Sequence, residues 1–142
     1  MHIEFNEFLI SDDKSLLDYE TICGFLSRSY WASKRPKEKI IRSFQSSECV
    51  GVYQDNRQVG FARLVTDYET VYYLCDVYID EDYRGRGIGK KLIESITTSD
   101  KYKNLSGILR TKDAHGLYEE YQFVKDNDKY MGRMPDFLRE KP

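Results

Sequence analysis

Apolar positions in the first third of the chain recur every three to four residues, which is typical of helices that pack by one face. One set begins after Ser15, and a second follows Pro36, a residue suited to the first turn of a helix. The first set is Leu16, Tyr19, Ile22, Cys23 and Leu26, and the second is Ile40, Ile41 and Phe44. The pattern predicts two helices here, preceded by one weakly alternating strand over residues 2–10.

From Glu48 onward the apolar period changes to two, which indicates strands. Residues 49–54 and 59–66 predict a hairpin across the turn-prone Asp55-Asn56, and residues 70–80 predict a longer strand. Strict alternation over the longer strand would place its odd-numbered and even-numbered side chains on opposite faces. The odd set is Val71, Tyr73, Cys75, Val77 and Ile79, and the even set is Tyr72, Leu74, Asp76 and Tyr78.

The last third continues with a glycine-rich turn at 84–89 and a helix whose apolar face is Ile88, Leu92, Ile93 and Ile96. A strand over 105–110, a short helix carrying Tyr118, and strands over 123–131 and 135–139 follow. The strands over 70–80 and 105–110 should be parallel, with the helix between them forming a right-handed crossover. The fold class is therefore α+β, with a mixed, mostly antiparallel central sheet of about six or seven strands and helices on both faces.

The composition indicates one globular domain over residues 1–142. A net charge of −2 provides no overall basic field for nucleic acid or for acidic membranes, and no apolar run is long enough to span a bilayer. No secretory signal is apparent, so we expect a cytoplasmic protein. The three cysteines, Cys23, Cys49 and Cys75, predict buried reduced thiols, and with only two histidines no metal site is expected.

The glycine-rich turn carries the clearest chemistry in the sequence. Glycines at 85, 87 and 89 allow a sharp turn and a close backbone approach to a ligand, and the following helix points its unpaired N–H groups at the same place. Arg84, Arg86 and Lys90 add positive charge, as a phosphate cradle requires. The alternative is a tight strand-to-helix turn with solvated basic residues. The glycine spacing matches neither a P-loop nor a dinucleotide fingerprint.

The stretch Arg84-Gly85-Arg86-Gly87-Ile88-Gly89 resembles the acetyl-CoA loop of the GCN5-related N-acetyltransferase (GNAT) superfamily, Arg/Gln-x-x-Gly-x-Gly/Ala. Ala114-His-Gly-Leu-Tyr118-Glu is similar to a second motif of that superfamily at the next strand-to-helix junction. Two departures stand beside these matches. Thr111 replaces a frequent Asn, and Gln122 replaces a glycine whose left-handed conformation would cost another residue about 1 kcal/mol.

The resemblance implies direct attack of a neutral amine on the thioester of acetyl-CoA. It implies that the backbone around Val77, Tyr78 and Ile79 meets the acetyl carbonyl and the pantetheine arm, and that the amides of residues 84–90, including Ile88, meet the pyrophosphate. It also implies that Thr111 and Ala114 border the cofactor, and that Tyr118 is the general acid for the leaving thiolate. Core packing is the alternative for Tyr118.

Asp76 is a candidate general base or ammonium anchor because it is a lone carboxylate in an apolar strand. An ion pair with Arg63 is its alternative, and a water chain could equally remove the proton. The resemblance places the acceptor site in the first interhelical segment, where Tyr30 and Trp31 offer aromatic faces and Arg35 could hold a carboxylate. The alternative for Trp31 is packing beneath that loop. For His115 a surface role is favoured over catalysis.

The sequence thus predicts an acetyl-CoA-dependent N-acetyltransferase that acts on a primary amine of a small molecule or on an exposed protein amine. The competing hypothesis is a non-catalytic acyl-CoA sensor that keeps the cradle without turnover. We expect no metal, nucleic-acid or membrane partner. No distinctive self-association motif is present, and a homodimer is left open.

Overall fold

The computed structural model describes residues 1–139 and contains one six-stranded sheet. The strands lie side by side in chain order, and all neighbours are antiparallel except the last pair, which is parallel. They are β1 (His2–Phe5), β2 (Phe8–Ser11), β3 (Glu48–Gln54), β4 (Arg57–Thr66), β5 (Val71–Ile79) and β6 (Ser106–Leu109). The predicted mixed, mostly antiparallel sheet is confirmed.

Four α-helices cover this sheet within the described residues, namely α1 (Tyr19–Ser27), α2 (Lys37–Gln45), α3 (Ile88–Thr97) and α4 (His115–Glu119). The first helix starts later than the apolar spacing predicted, because residues Lys14–Leu16 form a separate 3₁₀ turn. The Asp18 side chain then caps α1 by accepting from the Thr21 N–H at 3.1 Å. Pro36 stands at the N-cap of α2, one residue before the predicted first turn.

Two apolar cores lie on opposite faces of the sheet and explain the helical spacing. The first, beneath α3 and α4, includes Ile10, Val52, Leu74, Leu92 and Ile93. The second, beneath α1 and α2, includes Ile22, Phe25, Ile40, Phe44 and Phe61. Each fully buried side chain of this size contributes about 1.5–3 kcal/mol to folding. Helices on both faces, as the sequence predicted, are confirmed.

The predicted first strand over 2–10 is wrong in one respect, because it is a hairpin of β1 and β2. Asn6 adopts a positive φ of 51° at the turn, a conformation that Asn tolerates better than most residues. Its neighbours therefore reverse direction instead of extending the strand. β2 then pairs with β3 and extends the sheet.

A β-bulge at Asp76 breaks the alternation predicted for residues 70–80. The register with β4 shifts between Phe61 and Arg63, and Asp76 adopts a φ of 53°. Leu74 lies in the first core before the bulge, Val77 packs against that same core after it, and Tyr78 lies in the second. The predicted odd and even faces therefore hold only up to the bulge.

Strands predicted over 123–131 and 135–139 are wrong for the described residues. No strand follows β6 up to residue 139, and Asp136–Leu138 is a short 3₁₀ turn. Cys49 is buried as expected, but Cys23 and Cys75 are only half-buried, and all three thiols are free. None of the helices in the described part of the chain has the length and apolar composition of a membrane span.

Candidate active site

The sheet opens between β5 and β6. Their parallel pairing runs from Val71 opposite Ser106 to Leu74 opposite Leu109 and stops there. Beyond Leu74, β5 continues to Ile79 with β4 on one side and no described strand on the other. An unpaired strand edge offers backbone N–H and C=O groups to an extended ligand. The three residues predicted to meet the acetyl and pantetheine groups, Val77, Tyr78 and Ile79, all lie on this open edge.

The glycine-rich turn follows β5 directly. Gly85 and Gly87 both have a φ of 79°, a conformation that only glycine adopts readily, and Gly87 is the N-cap of α3. Among residues 1–139, no acceptor binds the backbone amides of Ile88, Gly89 and Lys90. A Cβ at Gly85 would meet nothing within 4 Å, so this glycine is required by backbone conformation and not by crowding. The turn therefore presents a helix N-terminus with free donors, as phosphate binding requires.

The basic side chains of this turn fold back onto neighbouring groups. Arg84 Nε donates to the Ile79 carbonyl at 3.0 Å, and Arg86 Nη2 lies 3.4 Å from the Asp82 carbonyl. Lys90 Nζ lies 3.4 Å from a Glu120 carboxylate oxygen. All three remain exposed, so their positive charge still faces solvent next to the free amides of α3.

A cleft of about 740 Å³ adjoins the open edge of β5. Its walls are the segment 30–35 between α1 and α2, the β5 residues around the bulge, the segment 110–114 after β6, and part of the segment 133–138. The predicted acceptor residues Tyr30, Trp31 and Arg35 all line it, together with Asp76 and Tyr118. The structure therefore brings the predicted acceptor residues and both predicted catalytic residues to one cavity.

Asp76 is held by three donors. Trp31 Nε1 donates to Oδ1 at 2.8 Å, Arg35 Nη1 donates to Oδ2 at 2.8 Å, and Arg63 Nε donates to Oδ2 at 2.8 Å. The Asp76 side chain is only 1% exposed. The ion pair with Arg63 that the sequence left open is present, and Arg35 joins it. This network fastens the loop between the first two helices to the β5 bulge.

The electrostatics of Asp76 follow from this network. Burial alone would raise the pKa of its carboxyl, but the hydrogen bonds and charges of Arg35 and Arg63 outweigh burial and lower that pKa. Asp76 is therefore an anion at neutral pH with its acceptor positions occupied. Burial raises the pKa of the nearby Cys75 thiol to about 11, so this cleft residue is a protonated thiol and not a thiolate.

Tyr118 lies at the junction of the cleft and the first core. It is 8% exposed, packs edge-on against Phe123 at a centroid distance of 5.9 Å, and lines the cleft. No group of residues 1–139 hydrogen-bonds its hydroxyl. Burial raises its pKa to about 12, so the phenol is protonated at neutral pH. Tyr118 therefore packs in the core and also lines the cleft, and its role as general acid stays a prediction.

The segment leading into α4 is organised by Thr111. Its Oγ1 accepts from the Ala114 N–H at 3.0 Å, which stabilises the turn before the helix. At the other end, Gln122 adopts a φ of 71°, the left-handed conformation for which the resemblance would have glycine. His115 is half-buried and lines a second cavity of about 620 Å³ beside β6.

Sequence reasoning missed several residues of the cleft. Lys34, Tyr73, Arg110, Lys112, Arg133, Met134 and Leu138 all line it. Tyr30 Oη accepts from the Lys112 backbone N–H at 3.0 Å, which joins the segment 30–35 to the segment 110–114. These residues come from four separate parts of the chain, and only the run Lys34-Arg35 carried a local signal. Trp31 is 36% exposed and forms part of the wall, so it does not merely pack beneath the loop.

Comparisons with known proteins agree with this geometry. Residues 45–125 match the family model described as an acetyltransferase (GNAT) domain. The chain is 30% identical to the uncharacterized N-acetyltransferase ycf52 of Pyropia yezoensis, over 92% of this chain and 78% of that protein. A solved protein of Xanthomonas campestris pv. campestris assigned to the GNAT acetyltransferases is 36% identical, has a TM-score of 0.87, and is matched over 95% of this chain and 98% of that one.

An acetyltransferase of Clostridium acetobutylicum solved with acetyl-CoA shares the fold alone. It is 15% identical and has a TM-score of 0.66, with 89% of this chain and 94% of that chain covered.

Proposed function

Because this chain belongs to the GNAT acetyltransferase family, we propose that it transfers the acetyl group of acetyl-CoA to a primary amine by direct attack in a ternary complex. The single observation that carries the proposal is the open edge of β5, which lies between the free amides of α3 and the cleft that contains Tyr118. Donors for a phosphate, a strand edge for an extended arm, and a cavity for a second substrate are contiguous there. The relative solved with acetyl-CoA supports the choice of donor.

The α3 turn and the β5 edge would hold acetyl-CoA. The amides of Ile88, Gly89 and Lys90 suit the pyrophosphate, because a helix N-terminus favours an anion and these donors have no competing acceptor. The backbone of Val77 to Ile79 suits the pantetheine arm, since an extended amide-bearing chain can pair with an open strand edge. Acetyl-CoA would supply an activated acyl group, whose carbonyl develops negative charge during attack. A backbone N–H at the bulge can stabilise that charge.

Tyr118 is proposed as the general acid. Its phenol is protonated at neutral pH, lines the cleft, and has no hydrogen-bond partner among the described residues, so it is free to donate to a departing thiolate. The raised pKa of the Cys75 thiol disfavours a covalent acyl-cysteine route through the same cleft. Both observations support direct transfer from thioester to amine.

Asp76 is proposed as a positioning residue. A general base needs a free lone pair within reach of its proton, and the two oxygens of Asp76 already accept hydrogen bonds from Trp31, Arg35 and Arg63. The carboxylate therefore holds Trp31 and Arg35 in the cleft wall, and water removes the amine proton. Of the roles that the sequence left open for Asp76, we therefore adopt the ion pair with Arg63 and not the general base.

A thiol-release assay tests the proposal. Purified protein is incubated with acetyl-CoA and a panel of primary amines, free CoA is measured, and the acetylated product is identified by mass spectrometry. The change Tyr118→Phe should lower kcat at least about tenfold, as loss of a general acid does, and should leave the Kd of acetyl-CoA within about twofold. An unchanged kcat in this variant would remove Tyr118 from the mechanism.

A non-catalytic acyl-CoA sensor is the second candidate, and the occupied carboxylate of Asp76 favours it. Among the residues that line the cleft, the only other carboxylate is the exposed Asp113, so the described cavity has no buried free base. The two candidates differ in one outcome. Saturable binding of acetyl-CoA together with no amine-dependent CoA release, across the panel and between pH 7 and about 9 where free amines accumulate, would favour the sensor.

A further inference from the structure

The cleft is basic although the chain as a whole is acidic. Five cationic side chains line it against two carboxylates, whereas the complete chain has a net charge of −2. The cations are Lys34, Arg35, Arg110, Lys112 and Arg133, and the carboxylates are Asp76 and Asp113. Asp76 and Arg35 pair with each other, and setting this pair aside leaves four cations against the single carboxylate of Asp113.

Four of these cations have no anionic partner in the part of the chain that the structure describes. Lys34, Arg110, Lys112 and Arg133 form no salt bridge with any carboxylate in residues 1–139. Six lysines outside the cleft do pair with carboxylates, namely Lys37, Lys90, Lys91, Lys101, Lys103 and Lys129. The cleft therefore gathers four unpaired cations around one cavity. The other cations without a carboxylate partner in residues 1–139 lie outside that cavity, namely Lys14, Lys39, Arg42, Arg86 and Lys125.

Two of the four cations are held in place by aromatic rings. Lys112 Nζ lies 5.6 Å from the centroid of the Tyr30 ring, and the Arg110 guanidinium lies 5.7 Å from that of Tyr130. Cation–π contact orients a charge without neutralising it. Lys112 is also anchored through its backbone N–H, which donates to Tyr30 Oη. These charges are positioned at the wall and remain able to bind an anion.

The basic wall faces the second substrate and not the phosphates of the first. The cleft contains Asp76, Val77 and Tyr118 but none of the residues 84–90 that form the proposed pyrophosphate cradle. A ligand seated beside the open edge of β5 would therefore present its amine to Tyr118 and Val77 and the rest of its structure to the cations. Carboxylate and phosphate are the groups that such cations bind best.

We propose that the acceptor is a small primary amine that also carries an anionic group, either a carboxylate or a phosphate. This inference rests on the proposed acetyltransferase function and narrows its substrate class. The anion is selected by Lys34, Arg110, Lys112 and Arg133, and the amine then lies in the part of the cleft beside Tyr118. The cations also favour the neutral form of a nearby amine, which is the form that attacks.

Matched acceptor pairs test the proposal. Phosphoethanolamine is compared with ethanolamine, and β-alanine with β-alaninamide, each at several pH values so that equal concentrations of free amine are compared. We expect the anionic member of at least one pair to have a kcat/KM at least about tenfold higher, a preference that shrinks as ionic strength rises. The pair that shows it distinguishes phosphate from carboxylate recognition.

Variants that remove positive charge from the cleft test whether its cations cause the preference for anionic acceptors. The double variant Arg110→Gln with Lys112→Gln should lower kcat/KM for the anionic acceptor about tenfold while leaving that for its neutral partner within about twofold. The double variant Arg42→Gln with Lys103→Gln removes the same charge from exposed positions outside the cleft and serves as the matched control. Equal losses in both double variants would show only a general charge effect and would overturn the proposal.

Two further outcomes distinguish a wrong acceptor class from a wrong proposed function. If neutral amines are acetylated as fast as their anionic partners, the substrate inference fails and the acetyltransferase function stands. If no amine of either kind releases CoA although acetyl-CoA binds, the proposed transfer itself fails, and the inference fails with it.

Discussion

Replacing Asp76 by Asn removes the charge at the centre of the cleft with little change of shape. Asn tolerates the φ of 53° at this position, so the β5 bulge is not strained by the change. Its side-chain oxygen can still accept from the Trp31 indole and from Arg35 Nη1, which lies 3.0 Å from Oδ1, but its NH₂ group cannot accept from Arg63 Nε. The variant therefore isolates the contribution of the buried ion pairs.

The expected loss of stability follows from the exposure of the two arginines. Removing one partner of a buried ion pair costs about 3–5 kcal/mol, because the other charge is left uncompensated. The Arg35 side chain is 27% exposed and can turn into solvent, whereas that of Arg63 is 14% exposed and lies in the sheet. Because only Arg63 is left as a buried charge without a partner, we expect the free energy of unfolding to fall by about 3 kcal/mol, the lower end of that range.

Urea unfolding followed by circular dichroism measures this loss, with Asp100→Asn as the control. Asp100 pairs with Lys103 at 2.8 Å, but its side chain is 95% exposed, so we expect no measurable change there. The pKa of Asp76 is lowered in the folded state, so its contribution is complete above the unfolded pKa of about 3.9 and is lost as pH falls through the folded pKa. The difference between wild type and variant should stay constant from pH 7 to about 5 and narrow below about 4.

A loss below about 1 kcal/mol at pH 7 would refute this reasoning, because it would place Asp76 among weak surface pairs. A difference that does not narrow in acid would refute the charge argument even if the loss itself were large. It would then point to packing of the side chain as the cause.

Three further predictions concern single positions. Gln122→Gly should raise the free energy of unfolding by about 0.5–1 kcal/mol in the same urea assay, since Gln122 has a φ of 71°, and no gain would argue against that backbone conformation. Tyr53→Phe should stabilise by about 1 kcal/mol, because the Tyr53 hydroxyl is buried without a hydrogen-bond partner, and a loss would reveal a partner. The Tyr118 pKa of about 12 predicts a kcat with no alkaline decline below about pH 10, and an earlier decline that Tyr118→Phe abolishes would contradict the buried phenol.

The local pattern of apolar residues and glycines was sufficient to predict most of the fold. The change from helical to alternating spacing near Glu48 located the central hairpin, and the glycines at 85 and 87 marked the start of α3. These features depend on residues close together in the chain, where periodicity and backbone preference act directly. The motif around Tyr118 likewise placed α4.

The bulge at Asp76 could not be read from alternation, because an apolar strand with one extra residue keeps the same composition. The lone carboxylate of Asp76 was the only sign of the bulge in the sequence. It predicted a buried partner, but it did not show that the side chains after it change to the other face of the sheet. The strands predicted after β6 were wrong for another reason. A strand was predicted over residues 123–131, but the Val124 and Met131 side chains are 84% and 95% exposed and have no packing that would stabilise one.

The cleft was predictable only in part. Tyr30, Trp31 and Arg35 were expected there from the resemblance, but the cations of residues 110, 112 and 133 reach it through tertiary folding. These three cations form no motif with their sequence neighbours, and the net charge of −2 gave no indication of a basic cavity. Such a surface is assembled from distant segments and has no local signature.

Calorimetric titration with acetyl-CoA tests the central claim most directly, with ATP and NAD as comparison ligands and Gly87→Asn as the variant. Asn tolerates the φ of 79° at Gly87, so the fold should be retained while its side chain obstructs the cradle. The account predicts saturable acetyl-CoA binding by the wild type, no comparable binding of ATP or NAD, and affinity at least about tenfold weaker in the variant. No binding of acetyl-CoA at millimolar concentration, or equal affinity in a folded variant, would contradict it.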